Sequence, residues 1–303
     1  MIPVLTPDEM AAVDAAAPEP VEVLIERAGA AVAREALDLL EGAYGRRVVV
    51  VAGKGNNGND GRAAAVRLRR RGVRLGVVDA ADAPRRLPPC DLVVDAAYGT
   101  GFRGSWKGPD VGATPVLAVD IPSGVDGLTG AVGDGVLEAE RTVTFAALKP
   151  GLLLPPGAAS AGEVEVVDIG LDVSRARAHL VERADVAAWL PPRQRDTHKW
   201  RAAVRVIAGS PGMLGAAHLA ASAAQRAGAG MVRLSSPGVD HDPLIPTEVV
   251  GESLPASGWT SLVLDELDRF GALVVGPGLG RADATAMAAV SYTHLTLPTI
   301  LRV

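Results

Sequence analysis

The stretch "VVVVAGKGNNGNDGR", Val48–Arg62, joins an apolar run typical of a buried strand to a Gly-rich segment and a helix-forming run. It holds Asn56, Asn57 and Asn59, the only three asparagines among the 303 residues. A strand that leads through a Gly-rich turn into a helix is typical of phosphate and nucleotide sites, because backbone N–H groups at the helix start point outward with partial positive charge. The spacing fits neither the G-x-G-x-x-G dinucleotide fingerprint nor a Walker A loop, which needs Gly-Lys before Ser or Thr. The alternative is a turn of Gly and Asn residues in which Asp60 caps the following helix.

Apolar runs rich in Val, Leu and Ile alternate with loops or helical patterns in the first part of the chain. The predicted strands cover Arg47–Ala52, Val73–Ala80, Asp91–Ala96, Val116–Ile121, Thr142–Ala147 and Glu163–Ile169. Their apolar residues are nearly continuous, which indicates strands buried on both faces in a mostly parallel sheet with helices on both sides. Before them, Val21–Leu40 has apolar residues at helical spacing and predicts an amphipathic helix. The sequence therefore predicts an α/β fold of three αβα layers, similar to the Rossmann fold.

A second α/β region follows a polar, Pro-containing segment without periodicity, Trp189–Trp200. It contains a strand-like run at Ala203–Gly209, a helix of small residues, another strand-like run, and a strand that enters a Gly-rich turn at Gly271–Gly280. We predict a first domain over residues 1–192 and an incomplete second domain over residues 193–290.

Composition narrows the class of protein. The chain carries a net charge of −5 and a single cysteine, Cys90, so that an intrachain disulfide is excluded. The acidic balance argues against nucleic acid as the main partner. The sequence lacks an uninterrupted apolar run of about 18 residues, so no membrane span is expected. We expect a cytoplasmic protein that acts on a small molecule.

Two further predicted strands carry an acidic residue at their C-terminal end, shortly before a Gly-containing loop. Asp95 precedes a Gly-Thr-Gly loop, and Asp120 precedes a loop with Ser123. Because ligands of open parallel sheets bind outside the carboxyl ends of the strands, these loops and the Asn-rich segment are expected to form one site. Taken alone, Asp95 could instead cap a helix. Lys149 also follows a strand, where it could bind phosphate, transfer a proton, or be a solvated loop lysine.

The segments "LIERAG", "GKGNNGNDG", "VDAAYGTG", "DIPSG" and "LKPG", in this order, resemble the NAD(P)H-hydrate epimerase domain over roughly residues 4–190. The later segments "HKW", "VRVIAGSPGMLGAAHLAASAAQRAGAGMV" and "ALVVGPGLGR" resemble the start of the ADP-dependent NAD(P)H-hydrate dehydratase, a ribokinase-like domain. The tandem is similar to bifunctional bacterial enzymes that repair nicotinamide nucleotides.

This resemblance implies that the first domain interconverts the R and S hydrates of NADH and NADPH (NADHX and NADPHX), which form when water adds to the reduced nicotinamide ring. The second domain would use ADP, with magnesium, to restore NAD(P)H from the S hydrate. The resemblance also implies a potassium ion held by Asn57, Asp95 and Ser123, whose oxygen atoms suit a hard cation. Asp120 would be the catalytic acid or base, with Lys149 as a second candidate. The substrate-binding residues implied are Asn56, Asn57, Gly58, Asn59, Asp60, Gly99, Thr100, Gly101, Phe102, Arg103, Gly104, Ser105 and Asp120 in the first domain, and Ala216 and Gly278 in the second.

The chain departs from the family pattern in two places. The family usually has Gly where this chain has Asn59, and Asn is the mildest replacement if that residue needs left-handed backbone. The second region also lacks the P-H-P-G-E histidine segment, the K-G-x-x-T nucleotide segment and the G-T-G-D loop that supplies the anion hole and catalytic Asp. We therefore expect epimerase activity from this chain, and we expect ADP-dependent dehydration only from the full-length family protein.

The composition changes again at Ser291. The segment "SYTHLTLPTILRV" brings Tyr, Thr and Ile into a chain otherwise built on Ala, Arg, Gly and Val. It looks like the translation of a sequencing adapter, so we interpret residues 291–303 as an extraneous tail.

Three other functions remain open at this point. They are a non-catalytic nucleotide-binding or scaffold module, a small-molecule kinase of the ribokinase type, and an ordinary NAD-dependent dehydrogenase. The intact set of Asn57, Asp95, Asp120 and Ser123 argues against the first, the missing G-T-G-D loop against the second, and the Asn-rich segment against the third. The sequence does not determine whether the protein forms a homo-oligomer, or whether it prefers the NADH or the NADPH hydrate.

Overall fold

The computed structural model describes residues 1–280, apart from positions 103, 105, 191, 193, 194 and 196. The chain divides into two compact units, Met1–Leu190 and the remainder. This division lies two residues before the domain boundary that we predict after residue 192. The predicted tail, residues 291–303, lies outside the described residues.

The first unit is built on a parallel sheet. Its strands are β1 (Ile2–Val4), β2 (Arg47–Ala52), β3 (Arg74–Asp79), β4 (Leu92–Ala96), β5 (Val116–Val119), β6 (Arg141–Phe145), β7 (Glu163–Val167) and β8 (Ala178–Leu180). Strands β2 to β7 form one six-stranded sheet in the order β3-β2-β4-β5-β6-β7, and all its pairs are parallel. Strands β1 and β8 form a separate antiparallel pair. The direction of the strand order reverses beside β2, because β3 lies on one side of it and β4 on the other.

The two faces of this sheet are covered differently. The helices of the unit are α1 (Pro7–Ala15), α2 (Val21–Leu39), α3 (Asn56–Arg70), α4 (Gly157–Ser160) and α5 (Arg183–Trp189), with a 3-10 helix at Pro150–Leu152. Helices α2 and α3 pack together on one face, over a cluster that includes Val32, Leu68, Val50 and Val94. On the other face, strand residues pack against the long connections between strands, which contribute Leu87, Trp106 and Leu137.

The α/β class with a parallel sheet is confirmed, and β2 has the predicted bounds. Two strands end earlier than predicted for a shared reason. The residues after Val119 and Phe145 adopt positive φ angles, 69° at Asp120 and 61° at Ala146, which end the extended backbone. Helix α1 is not among the predicted elements, although Thr6 and Glu9 form a capping box at its start.

The second unit also contains a parallel sheet. Its strands are β9 (Ala203–Ile207), β10 (Met231–Ser235), β11 (Val250–Gly251) and β12 (Ala272–Val275), and its helices are α6 (Leu214–Arg226) and α7 (Thr260–Asp265), with 3-10 helices at Lys199–Ala202 and Leu267–Arg269. The strand order is β11-β10-β9-β12. Among the described residues of both units, no helix combines the length and apolar character needed to cross a membrane.

Glycines let α3 approach the sheet closely. A Cβ atom at Gly58 would lie 1.9 Å from the carbonyl oxygen of Gly53, and one at Gly53 would lie 1.9 Å from the carbonyl oxygen of Ala97. A Cβ atom at Gly61 would lie 2.5 Å from the Cβ atom of Ala96 on β4. The glycines of the Asn-rich segment therefore seat the start of α3 against the ends of β2 and β4.

We expect Gly61→Ala to lower the free energy of unfolding. Overpacking of a tight contact costs about 1–3 kcal/mol, whereas the better helix propensity of Ala offsets at most about 1 kcal/mol. Gly76→Ala on β3 is the matched control, because its Cβ atom would make an ordinary contact of 3.7 Å with Val49. Thermal and urea unfolding followed by circular dichroism measure the difference. Equal stability of the two variants would contradict the close seating of α3.

Candidate active site

A cavity of about 800 Å³ opens at the carboxyl ends of β2, β4 and β5. It lies where the strand order reverses between β2 and β4, which is where open parallel sheets bind ligands. Its volume falls in the range of small-molecule and cofactor sites, roughly 300–1,000 Å³. Helices α1 and α2 form one wall, and segments at the carboxyl ends of β2, β4, β5, β6 and β7 form the rest.

Many of the predicted site residues line this cavity. They are Asn56, Asn57, Asp60, Gly99, Thr100, Gly101, Phe102, Asp120 and Lys149. Gly58, Asn59 and Gly104 are not among the lining residues, and Asp95 and Ser123 are fully buried away from the cavity surface. The predicted residues Arg103 and Ser105 lie outside the described residues.

The Asn-rich segment forms the first turn of α3 rather than a loop. Gly55 is the N-cap, the helix begins at Asn56, and the Asn59 N–H donates to the carbonyl oxygen of Gly55 at 3.1 Å. The alternative with Asp60 as N-cap is therefore wrong, because Asp60 lies inside the helix. Asn59 is helical, so this position does not need the left-handed backbone that would favour Gly. The first N–H groups of α3 have no carbonyl partner within the helix and can bind an anion at the cavity.

Asp120 sits in a strained turn at the end of β5. The Ile121 N–H donates to the carbonyl oxygen of Val119 at 2.9 Å, so Asp120 is the central residue of a γ-turn with φ 69°. Such backbone is rare outside Gly and costs about 1–3 kcal/mol. Its own N–H donates to the carbonyl oxygen of Val143 on β6 at 2.7 Å. The turn directs the Asp120 carboxylate into the cavity.

Lys149 forms a buried ion pair with the Asp120 carboxylate. Its Nζ atom donates to Oδ1 of Asp120 at 2.5 Å, to Oγ1 of Thr144 at 2.7 Å and to the carbonyl oxygen of Phe145 at 3.2 Å. The side chain is 1% exposed, so the alternative of a solvated loop lysine is wrong. Because an ammonium group has three N–H donors and all three have protein acceptors, none is left for a substrate phosphate.

The opposite oxygen of Asp120 faces the loop after β4. Thr100 donates to Oδ2 through its backbone N–H at 3.0 Å and through Oγ1 at 2.6 Å. Burial raises the pKa of Asp120, but the charge of Lys149 and the hydrogen bonds from Lys149 and Thr100 outweigh it, so that the pKa lies below its usual value. Asp120 is therefore a carboxylate at neutral pH.

Asp60 has the opposite environment in the same cavity. It is 7% exposed, and it makes no side-chain hydrogen bond with the described residues. Burial, with further contributions from the negative charges of Asp120 and Asp14, raises the pKa of Asp60 to about 8. Asp14 on α1 lies at the exposed rim, and burial and Asp120 raise its pKa while Lys149 lowers it. Asp60 is therefore mostly neutral at pH 7.

The residues predicted to bind a cation lie around the loop after β4. The Asp95 carboxylate is fully buried and accepts from the Ser123 N–H at 2.9 Å, from Oγ of Ser123 at 2.6 Å and from the Ala97 N–H at 3.3 Å. The alternative in which Asp95 caps a helix is therefore wrong. Burial raises the pKa of Asp95, while the hydrogen bonds from Ser123 and Ala97 lower it in part. Within the described residues, Asp95 has no ion-pair partner.

Asn57 has unsatisfied polar atoms at the cavity. Its Oδ1 and Nδ2 atoms are buried and make no hydrogen bond with the described residues. Gly99 brings Asn57 close to Asp120, because a Cβ atom at Gly99 would lie 3.3 Å from the Asn57 side chain and 3.1 Å from Oδ2 of Asp120. Buried polar atoms without partners are rare in folded proteins and call for a ligand or water. The amide oxygen suits a cation, and the amide nitrogen suits an anionic or carbonyl oxygen.

In the second unit, Ala216 and Gly278 lie next to each other. A Cβ atom at Gly278, which has φ 75°, would lie 3.0 Å from the Cβ atom of Ala216. Oγ of Ser210 donates to the Gly278 carbonyl oxygen at 2.9 Å, and the Gly209 N–H donates to the Pro277 carbonyl oxygen at 2.7 Å. Both predicted residues thus lie near the carboxyl ends of β9 and β12.

Two family models match the chain. The model for the N-terminus of YjeF-related proteins matches residues 21–84 and 78–151, and the model for NAD(P)H-hydrate dehydratase matches residues 204–301. The chain belongs to the NAD(P)H-hydrate repair enzyme family. The second match runs into the segment that we interpret as an extraneous tail, and that interpretation stays a prediction.

Curated relatives of this family align with most of the chain. Bifunctional NAD(P)H-hydrate repair enzymes of Moorella thermoacetica and Mycobacterium tuberculosis are each 35% identical, over 87% and 89% of this chain respectively and 60% of each relative. One from Salinibacter ruber is 32% identical over 94% of this chain and 66% of the relative. The chain thus spans about 60% of the length of the first two relatives.

The family motifs did not point to every residue of the cavity. The wall built by α1 and the start of α2, including Asp14, was missed. The capping-box pattern of Thr6 and Glu9 could have identified α1, but no local pattern says that this helix covers the carboxyl ends of the strands.

The high pKa of Asp60 has a consequence for stability. The folded state keeps the Asp60 proton up to pH about 8, whereas the unfolded chain loses it near the usual aspartate pKa of 3.8. The folded state therefore binds more protons over this window, and this residue makes the protein less stable as pH rises through it. We expect Asp60→Asn to be increasingly more stable than the unaltered chain from pH 5 to pH 8.

Melting temperatures of both proteins across this pH range measure the effect. Asp79→Asn is the control, because Asp79 ends β3 outside the cavity and its side chain is partly exposed. A difference in melting temperature between Asp60→Asn and the unaltered chain that does not change with pH would contradict the neutral form of Asp60.

Proposed function

We propose that the first unit interconverts the R and S hydrates of NADH and NADPH. The observation that carries this proposal is the ionised Asp120, held by Lys149 and directed into a cavity at the switch point of the sheet. The names of the relatives, which describe NAD(P)H-hydrate repair, support the substrate class. The family match does not favour a scaffold module, a small-molecule kinase or a dehydrogenase.

The start of α3 is the proposed phosphate site. Backbone N–H groups at the helix start attract anions, and Asn56 and Asn57 line the cavity beside them. The loop from Gly99 to Phe102 also lines the cavity, and the reduced nicotinamide hydrate would lie there against Asp120. Gly58, Asn59 and Gly104 remain proposed substrate-binding residues on the family resemblance, as do Arg103 and Ser105, which lie outside the described residues.

The chemistry follows from the structure of the hydrate. The carbon that carries the hydroxyl group is bonded to the ring nitrogen, so loss of the hydroxyl proton allows the carbon–nitrogen bond to break and the ring to open. Asp120 is the proposed base that accepts this proton, since its carboxylate is ionised and lines the cavity. Lys149 acts as a positioning residue that keeps Asp120 charged and oriented.

We propose that Asn57, Asp95 and Ser123 hold a potassium ion. The unsatisfied Asn57 amide oxygen and the buried Asp95 carboxyl group, which has no ionic partner among the described residues, fit a hard monovalent cation. When bound, the ion would supply fixed positive charge beside an anionic dinucleotide.

We propose that the second unit is part of the domain that, in the longer repair enzyme, dehydrates the S hydrate with ADP and magnesium. The match to the dehydratase family model supports this, with Ala216 and Gly278 at the substrate site. That this chain does not itself catalyse dehydration stays a prediction. That the protein forms a homo-oligomer stays one as well.

The epimerase proposal predicts that the unaltered chain converts a pure R hydrate into a mixture of epimers faster than the spontaneous reaction. Asp120→Asn removes the base and should lower the rate roughly 10²- to 10⁴-fold. Chiral chromatography of the products measures the rate. Asp79→Asn is the control, because Asp79 also ends a parallel strand but does not line the cavity. Full activity of Asp120→Asn would contradict the proposed base.

The cation proposal predicts that KCl raises the melting temperature more than choline chloride at the same ionic strength, because a ligand that binds only the folded state stabilises it. Asn57→Ala should lose most of this difference. The Asn57 amide makes no hydrogen bond with the described residues, so its removal should leave the fold intact. Equal melting temperatures of the unaltered chain in the two salts would refute the potassium site.

A further inference from the structure

The cavity contains a second carboxyl group that the mechanism above does not use. Asp60 lies in the second turn of α3, is 7% exposed, and lines the same cavity as Asp120. It has no ion-pair or hydrogen-bond partner among the described residues. A buried carboxyl group without partners is costly to ionise, and its retention in a cavity is typical of functional sites.

The nearby carboxyl groups favour the neutral form of Asp60, and the buried cation of the cavity is bound to other groups. Asp120 faces it from the end of β5, and Asp14 faces it from α1. The one buried cation of the cavity wall within the described residues, Lys149, donates its three N–H groups to Asp120, Thr144 and the Phe145 carbonyl oxygen. Lys54 lies at the exposed mouth. The ammonium group of Lys149 thus stabilises the negative charge of Asp120, and no cation among the described residues compensates a negative charge on Asp60 in the same way.

The cavity therefore holds two carboxyl groups in opposite states. Asp120 is ionised because an ammonium group and the Thr100 donors stabilise its charge. Asp60 is protonated because it is buried beside like charges. Two carboxyl groups whose environments separate their protonation states in one site are the arrangement that general acid–base catalysis requires.

We propose that Asp60 is the general acid of the epimerisation, and that it works with Asp120 as the base. This assignment rests on the proposed epimerase function. In the forward step Asp120 accepts the hydroxyl proton, the carbon–oxygen double bond forms, and the bond between this carbon and the ring nitrogen breaks. The electron pair goes to the nitrogen, which receives the proton of Asp60.

The return step restores every group. After rotation about the adjacent carbon–carbon bond, the Asp60 carboxylate removes the nitrogen proton, and the nitrogen attacks the opposite face of the carbonyl carbon. The new oxyanion takes the proton from Asp120. The product is the other epimer, both carboxyl groups regain their starting states, and the cycle needs no other reactant.

The test is the pH–rate profile of epimerisation for the unaltered chain and for Asp60→Asn. With Asp60 as the acid, the rate of the unaltered chain should fall above a pH of about 8, where this group loses its proton. Asp60→Asn keeps the shape of the neutral side chain but cannot donate a carboxyl proton. Its kcat should fall roughly 100-fold or more, with little change in KM, and the alkaline decline should disappear.

Two further variants separate catalysis from structure. Asp60→Glu should restore part of kcat, and its rate should again decline at alkaline pH. If the role of Asp60 were purely structural, the pH–rate profile of Asp60→Glu would not regain this decline. Asp79→Asn should keep the rate and profile of the unaltered chain, since Asp79 lies outside the cavity. The melting temperature of Asp60→Asn at neutral pH should be no lower than that of the unaltered chain, which excludes misfolding as the cause.

The outcomes distinguish this assignment from the function on which it rests. An active unaltered chain together with a fully active Asp60→Asn, or an Asp60→Asn whose alkaline decline is unchanged, would overturn the assignment and leave the epimerase proposal standing. Absence of epimerisation by the unaltered chain would overturn both.

Discussion

The buried ammonium group of Lys149 is the constraint on which the site depends. A lysine that is 1% exposed must have its charge compensated and its donors satisfied, because an unpaired buried charge costs several kcal/mol. Asp120 supplies the charge, and Thr144 and the Phe145 carbonyl oxygen supply the other acceptors. Removal of either charge would leave the other buried and uncompensated. The pair thus fixes the ends of β5 and β6 relative to each other and orients the Asp120 carboxylate.

The same pair explains the asymmetry of the cavity. A single compensating cation can keep one carboxylate ionised, and the hydrogen bonds of Lys149 are directed to Asp120. Asp60, which shares the cavity, receives the repulsion of that carboxylate without the benefit of the ammonium group. The positive φ angle at Asp120 belongs to the same arrangement, because the γ-turn places its carboxylate between Lys149 and Thr100. Backbone strain and a buried charge are thus concentrated where the chemistry is proposed.

Much of the fold was predictable because its signals are local. The continuous apolar runs of β2, β4 and β5 identify strands buried on both faces, and the periodicity of Val21–Leu40 identifies α2. The ends of β5 and β6 were predicted too late, since nothing local to Ile121 or Ala147 shows that the preceding residue turns into positive φ. At Asn59 a segment that its composition predicts to be a turn is instead helical. A segment rich in Gly and Asn indicates a turn, but close seating against β2 and β4 makes it helical, with its glycines used for contact rather than for left-handed backbone.

The sequence by itself determined the family, the parallel α/β class, and nine of the residues that line the cavity, because these depend on residue types and spacing along the chain. Only the tertiary structure decided the states of the side chains. Lys149 could have been solvated, and Asp60 could have capped a helix. Their burial, and the placement of one cation beside one of the two carboxyl groups, arise from segments far apart in the chain that meet at the end of the sheet. Protonation depends on those distances and on solvent exclusion, which no single segment encodes.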